Sequence, residues 1–423
     1  MPSQLLTKTE QNDSLGFWDW VLVVGITFSP MNELRIWKIG PGELLLMIWS
    51  LRFIKDVFSI STNNVLGRFW ILFLPIIAAG SIFCRLFYPD ESDIGGLLTY
   101  AYFAFISIGI YSGARKMSAA HIRKLLKIIG IVVSCWFMFL YLYSRRHLTF
   151  LGASLWYRKV RFSGGANNPH QIAVTISSVI FINIIQVFDP KVPLLEKIPF
   201  GVCAAFCFIM AKATKSSTLV VAVVIALGLF IYYLIVRTLQ TKRQRWVAFS
   251  VIVIIAALAV GVFRDYLYEM IYEWIADDPN GLERIDIFSS ITITLRKNFL
   301  FGLGPGNHAL DGYMEYHNSY LELLAMGGVL GLTVFIIYSV NFFRGLLADP
   351  GYIFVIAPVY FYGLAGFSMR RMIFWVMSAI LVAYAERLAT EKETDEQEAR
   401  PDSEPPKGLR QPSFLRQAKE RDA

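Results

Sequence analysis

Ser217–Val236, STLVVAVVIALGLFIYYLIV, carries no charged residue from end to end. A helix of this length, at 1.5 Å per residue, is about 30 Å long, the thickness of the hydrocarbon layer of a bilayer. No water reaches that layer, so the backbone amides must pair within the segment, and the segment must be a helix. Val247–Phe263, VAFSVIVIIAALAVGVF, reads the same way. Outward from this pair, apolar segments recur at 17–31, 40–55, 68–86, 95–113, 124–143, 170–188, 198–211, 217–236, 246–263, 318–341, 351–367 and 372–388. The first, second and seventh are short or interrupted. The expectation is an all-α polytopic membrane protein with about 12 transmembrane helices.

Composition agrees. The chain has 423 residues, 55% hydrophobic and 17% charged, where soluble domains run at about 45–50% and 25%. Its net charge of +8 would suggest a nucleic-acid partner in a soluble protein. Here Lys and Arg retained in cytoplasmic loops account for most of it, and no nucleic acid is expected. Cys84, Cys135, Cys203 and Cys207 fall in or beside apolar segments without metal-ligand spacing, so they read as packing residues. No metal or cofactor is expected. Met1–Asp13 is polar and lacks the basic and apolar regions of a cleavable signal peptide.

Short basic loops set the orientation. Arg115, Lys116, Arg123, Lys124 and Lys127 surround one connection, and Arg237, Lys242, Arg243 and Arg245 fill another. With twelve spans both fall on the cytoplasmic side, together with both termini. The chain then divides into a cytoplasmic N-terminus (1–16), nine helices with short loops (17–263), a large external loop (264–316), three helices (317–388) and a disordered cytoplasmic tail (389–423). Long loops are commonly functional. This one should hold short helices near 266–275 and 283–294, then a glycine turn at Gly302, Gly304 and Gly306 that cannot stay helical.

Positive charge outside needs a reason. Ser144–Pro169 carries Arg145, Arg146, Arg158, Lys159 and Arg161 with no acid; Lys212 and Lys215 sit at the next external turn, and Arg370 and Arg371 at the last. Arg145 and Arg146 read as side chains reaching for lipid phosphates. Arg158, Arg161 and Lys215, with glycine and asparagine beside them, read as a site for a phosphorylated ligand, since arginine grips phosphate through a fork and lysine as a point charge. Pro169 suits a first helical turn capped by Asn168, and His170 reads as a helix-end residue. His317 adjoins Asn318 and follows the largest external loop. It reads either as a polar anchor at the membrane interface or as a base, since an imidazole, with an ordinary pKa of about 6.5, can take a proton from a hydroxyl. Gly327 and Gly331 form a small-xxx-small pair, read as helix packing.

The stretch 158–345 resembles the bacterial O-antigen ligase and polysaccharide polymerase superfamily. The resemblance rests on Arg161-x-x-Gly164 with Asn168-Pro169, Thr214-Lys-Ser-Ser-Thr218 before a long span, Arg284 in the large loop, Phe301-Gly-Leu-Gly-Pro-Gly306, and His317-Asn-x-Tyr-Leu-Glu-x-Leu ending in Gly-x-x-Gly-Leu. It implies a fold like the C-type glycosyltransferases and an inverting, metal-independent transfer between undecaprenyl-diphosphate-linked glycans on the periplasmic face of the inner membrane. On this reading His317 and Arg284 are catalytic. Arg158, Arg161, Lys215 and Arg296 hold the diphosphate, and Gly164, Asn168, Gly304, Gly306 and Asn318 shape the site. Many members carry an arginine where this chain has Lys215, which keeps the charge and loses the fork. A polymerase is preferred to a ligase acting on lipid A–core, with a flippase and a chain-length regulator as the partners such polymerases work beside. A transporter of the same span count is the rival from another class. Nearly acid-free spans and the absence of a clear internal repeat weigh against it.

Overall fold

The computed structural model describes residues 14–35, 39–58, 64–89, 94–262, 291–306 and 316–398, with isolated positions between 264 and 269. Arg284 and most of the large connection lie outside the described residues. The helices are α1 (Phe17–Phe28), α2 (Pro41–Leu51), α3 (Ile54–Phe58), α4 (Val65–Phe87), α5 (Ile94–Ala114), α6 (Ala119–Tyr143), α7 (Pro169–Phe188), α8 (Leu194–Thr214), α9 (Ser217–Thr238) and α10 (Lys242–Val262). There follow α11 (291–297), α12 (Ser319–Leu346), α13 (Ile353–Tyr362) and α14 (Met372–Glu398). Eight of them, among the described residues, are long and apolar enough to cross a membrane. The protein is an all-α polytopic membrane protein, and a helix matches each of the twelve apolar segments.

Burial follows polarity. α7 carries Gln171, Thr175, Ser177, Ser178, Asn183 and Gln186 and sits at the centre against α6, α8 and α13, whereas the more apolar α9 leaves most of its surface outward, where lipid would cover it. α12 packs along α4 and α14 along α5. α1 and α2, at 12 and 11 residues, reach only about 18 Å each. They form a hairpin against α5 and α6, with a 3-10 turn, Asn32–Leu34, after α1.

Contacts between connections define two ends. At one, His121 meets Asp19 (3.1 Å), Lys116 meets Asp56 (3.0 Å) and Tyr384 meets Asp349 (2.6 Å). Arg123 and Arg237 face one small cavity at this end, so the two basic connections share it, as the positive-inside argument expects. At the other end Arg161 meets the Thr214 carbonyl (2.9 Å), Thr218 the Ala365 carbonyl (3.3 Å) and Asn318 the Leu364 carbonyl (2.8 Å).

Several expectations are corrected. The segment 144–169 folds into two short hairpins, Thr149–Phe150 with Ala153–Ser154 and Trp156–Tyr157 with Arg161–Phe162. The apolar segment 351–367 is helical only to Tyr362. The helix of the last segment runs on to Glu398, so the supposed disordered tail begins as helix, with Lys392 holding the Ala348 carbonyl at 3.1 Å.

The largest correction concerns α12. It is broken at Gly328 (φ 60°, ψ −163°), about 14 Å along from its first residue. The glycine turn after α11 packs into this break. Leu303 and Gly304 donate their N–H groups to the carbonyls of Ala325 and Met326 (2.9 and 3.0 Å). Val329 and Leu330 donate to Phe299 and Leu300 in return (3.0 and 3.2 Å). A broken membrane helix exposes amides that lipid cannot satisfy, and here the turn satisfies them. Gly304 (φ +83°) lies so close on α4 that a Cβ would fall 2.1 Å from Ser81 Oγ. Gly327 and Gly331 face Phe73 and Ile76 of α4, in keeping with the packing reading.

Candidate active site

The link between α13 and α14, residues 363–371, gathers the parts of the site. Its carbonyls accept from Ser319 N (Gly363, 2.8 Å), Asn318 Nδ2 (Leu364), Thr218 Oγ1 (Ala365) and Ser319 Oγ (Gly366, 2.8 Å). Ser368 N donates back to Ser319 Oγ (2.9 Å). The N-termini of α9 and α12 are therefore fastened to one strap. Asn318 also caps α12, its Oδ1 accepting from Tyr320 N (2.9 Å) and Leu321 N (3.1 Å). Losing a cap of this kind costs about 1–2 kcal/mol. Asn318→Ala should lower the thermal midpoint of the detergent-solubilised protein, and Asn318→Asp, which keeps the cap acceptor, should restore most of it.

His317 stands immediately before that cap in a left-handed conformation (φ 48°), and its ring packs at a tilt of 42° on Phe367, with centroids 4.9 Å apart. The guanidinium of Arg370 lies 5.2 Å from the centre of the same ring. Phe367 and Arg370 line a cavity of about 870 Å³, together with Arg371, Arg35, Glu43 and Gly306. Each of two arginines has a carboxylate partner: Arg370 is paired with Glu322, whose side chain is 4% exposed, and Arg35 with Glu43, 9% exposed. Arg371 donates from Nη1 to Gln171 (3.0 Å) when that amide is turned so that its oxygen faces the guanidinium and its nitrogen the Pro30 carbonyl. The cavity thus combines guanidinium groups, amides and aromatic faces beside an imidazole.

The sequence-derived residues divide between this cavity and its surroundings. Gly306 lines it; His317 does not, and its ring touches the lining through Phe367. Arg158, Arg161, Lys215, Gly164 and Asn168 do not line it; they lie in the connection before α7 and at the end of α8. There Arg161 spends its Nε on the Thr214 carbonyl at the end of α8, where the helix dipole favours a cation. Lys215, exposed, is the left-handed C-cap of the same helix (φ 50°). Arg158 is exposed and lies over Tyr157 (5.3 Å). Asn168 caps α7 through His170 N (2.9 Å), as expected, and Gly164 packs over Ile172. Gly304 shapes the site only indirectly, through the broken helix, and Arg296 is exposed on α11. Among the described residues five non-glycines have positive φ, and three of them are Arg158, Lys215 and His317. Left-handed non-glycine residues are uncommon and gather at functional sites.

Sequence reasoning missed Arg35, Glu43, Gln171 and the strap. Glu43 accepts from Gly40 N (2.8 Å), so its pattern is that of an acid in the first turn of a helix. Arg35 looks like an isolated loop charge until the hairpin is folded. His170 proves more than a helix end: its Nδ1 bonds to Tyr362 Oη and lies 3.4 Å from Ser216 Oγ.

The architecture is that of a polytopic all-helical membrane protein with an arginine-lined cavity at one end. Residues 200–336, from within α8 to the second part of α12, match the family described as O-antigen ligase, and this match supports assignment to the O-antigen ligase and polymerase superfamily. No curated protein matches the chain.

Proposed function

We propose that this protein is a membrane glycosyltransferase that polymerises a lipid-linked polysaccharide repeat at the periplasmic face of the bacterial inner membrane. The observation that carries the reading is the O-antigen ligase match, which contains His317, taken with the guanidinium groups that face the cavity beside that residue. The end opposite the basic connections is then the periplasmic one.

In the proposed reaction a sugar hydroxyl of one repeat attacks the anomeric carbon of a glycan carried on undecaprenyl diphosphate. His317 accepts the hydroxyl proton. The new C–O bond forms as the bond from the anomeric carbon to the phosphate oxygen breaks, with inversion, and undecaprenyl diphosphate departs. Arg370 and Arg371, with Arg284 of the large connection, stabilise the charge on the leaving diphosphate; preorganised donors of this kind are commonly the largest catalytic contribution. Lys215 and Arg161, at the end of α8, are proposed to meet the headgroup as it enters. Cationic side chains supply the charge stabilisation, so the reaction is proposed to need no divalent cation. A flippase delivering the repeat and a chain-length regulator are the proposed partners.

The test is a strain lacking the gene, complemented at matched membrane levels with wild type or His317→Ala. Loss of a general base lowers rates by about 10²–10⁴-fold, so the variant should leave single lipid-linked repeats and almost no long polymer. Long polymer that stays on undecaprenyl diphosphate and never reaches lipid A–core in the deletion strain would indicate a ligase instead. Normal polymer and normal surface attachment without the gene would refute glycosyl transfer.

A further inference from the structure

The cavity has two walls of different chemistry. One is the strap, with Phe367, Arg370 and Arg371 beside His317. The other is the tip of the α1–α2 hairpin together with α5, and it presents Asn32, Arg35, Glu43 and Thr99. The hairpin lies well before residues 200–336, outside the family match. It is nevertheless built into the site: Asn32 Oδ1 accepts from Asn167 N (2.7 Å), Glu33 N donates to the Gly165 carbonyl (3.1 Å), and Gln171 joins Pro30 to Arg371.

We propose that this hairpin wall is a sugar subsite, which binds hydroxyl groups of the glycan in a lipid-linked repeat and thereby selects which repeat is joined. The inference rests on the glycosyl-transfer reading and deepens it. The Arg35 fork is matched to Glu43 through both Nε and Nη2, so this wall presents guanidinium donors and a carboxylate acceptor side by side. A carboxylate offers about four acceptor positions. On Glu43, Oε2 takes Arg35 Nε (3.3 Å) and Gly40 N (2.8 Å), while Oε1 takes Arg35 Nη2. Acceptor capacity remains on Oε1, next to guanidinium donors. A paired donor and acceptor suit a neutral hydroxyl-rich ligand. The side chain of Tyr102 fixes the wall by donating to the Glu43 carbonyl (2.8 Å), and Tyr102, only partly buried, adds an aromatic surface of the kind that sugar rings cover. The volume, about 870 Å³, falls at the upper end of the roughly 300–1,000 Å³ of small-molecule sites and exceeds what a diphosphate fills.

Two variants test it in purified full-length protein, with the lipid-linked repeat from a strain lacking the gene as substrate and sugar-free undecaprenyl diphosphate as competitor. Thr99→Trp fills the wall from an exposed position whose hydroxyl only returns to its own helix at Gly95 (3.0 Å). Arg35→Gln removes the fork. Each should raise the half-saturating concentration of the repeat by about tenfold or more while inhibition by undecaprenyl diphosphate stays within about twofold, as expected where only sugar contacts are lost. If both constants rise together, the wall holds the diphosphate and the sugar subsite is refuted. If neither moves while the protein stays folded by thermal unfolding, the wall faces no substrate and the proposal fails. If wild type forms no polymer at all, the glycosyl-transfer reading falls, and this inference with it.

Discussion

Replacing Gly328 by alanine should abolish accumulation of the folded protein, whereas Gly327→Ala should leave it nearly intact. The two residues are neighbours in an apolar helix, and composition does not separate them. At Gly328 a Cβ would fall 2.3 Å from Leu300 O and 2.6 Å from Phe299 O, both backbone atoms that cannot swing aside. Its φ of 60° with ψ of −163° belongs to a region open essentially only to glycine, which costs other residues about 1–3 kcal/mol before any clash. The alternative, straightening α12, would expel the turn 299–304 and leave its amides unpaired inside the protein, at about 1–3 kcal/mol for each group. Whole-protein stabilities are about 5–15 kcal/mol, so the combined loss is of the same order as the total. At Gly327 the nearest atoms to a Cβ are side-chain carbons at 3.6–3.8 Å, ordinary contact distances. Fluorescence-detected size exclusion of both variants from solubilised membranes reads the contrast directly. Equal monodisperse peaks would show that the helix is continuous and that the turn lies elsewhere.

The glycines of α12 show what was legible in the sequence. Lipid imposes one rule on every spanning segment, apolar and internally hydrogen-bonded, and hydropathy alone therefore located helices as different as α7 and α9. The positions of Asn168 as a cap and of Pro169 in the first turn were legible because both act within one turn of chain. Gly327 and Gly331 already fitted a packing motif, and that sufficient local explanation concealed the break between them. The seating of the turn 299–304 in that break was not legible, since it rests on four hydrogen bonds to residues 22–30 positions away. The arginines of the cavity were hidden for a related reason. Arg35 and Glu43 meet across a hairpin, and Arg370 meets Glu322 over 48 positions, so only the fold reveals the pairs. The strap was invisible because most of its bonds use its backbone carbonyls, which every sequence possesses.

The Arg370–Glu322 pair gives the second large effect, and it separates a structural arginine from a functional one. Glu322 is almost fully buried in the first turn of α12, and Arg370 keeps a quarter of its side-chain exposure toward the cavity. Removing one member of a buried pair typically costs about 3–5 kcal/mol, because the other is left charged and uncompensated. The remaining exposure of Arg370 places Glu322→Gln near the lower end of that range. Replacing both residues with glutamine removes the uncompensated charge, so the double variant should be more stable than Glu322→Gln. Turnover should behave differently. If Arg370 meets the leaving diphosphate, its loss removes one preorganised donor, worth about 10²–10³ in rate, and no change at Glu322 can replace it. The double variant should therefore regain thermal stability while its kcat stays as low as that of Arg370→Gln. Recovery of kcat along with stability would show that the pair only fastens the strap to α12, and the diphosphate would then have to be met by Arg371 and Arg284 alone.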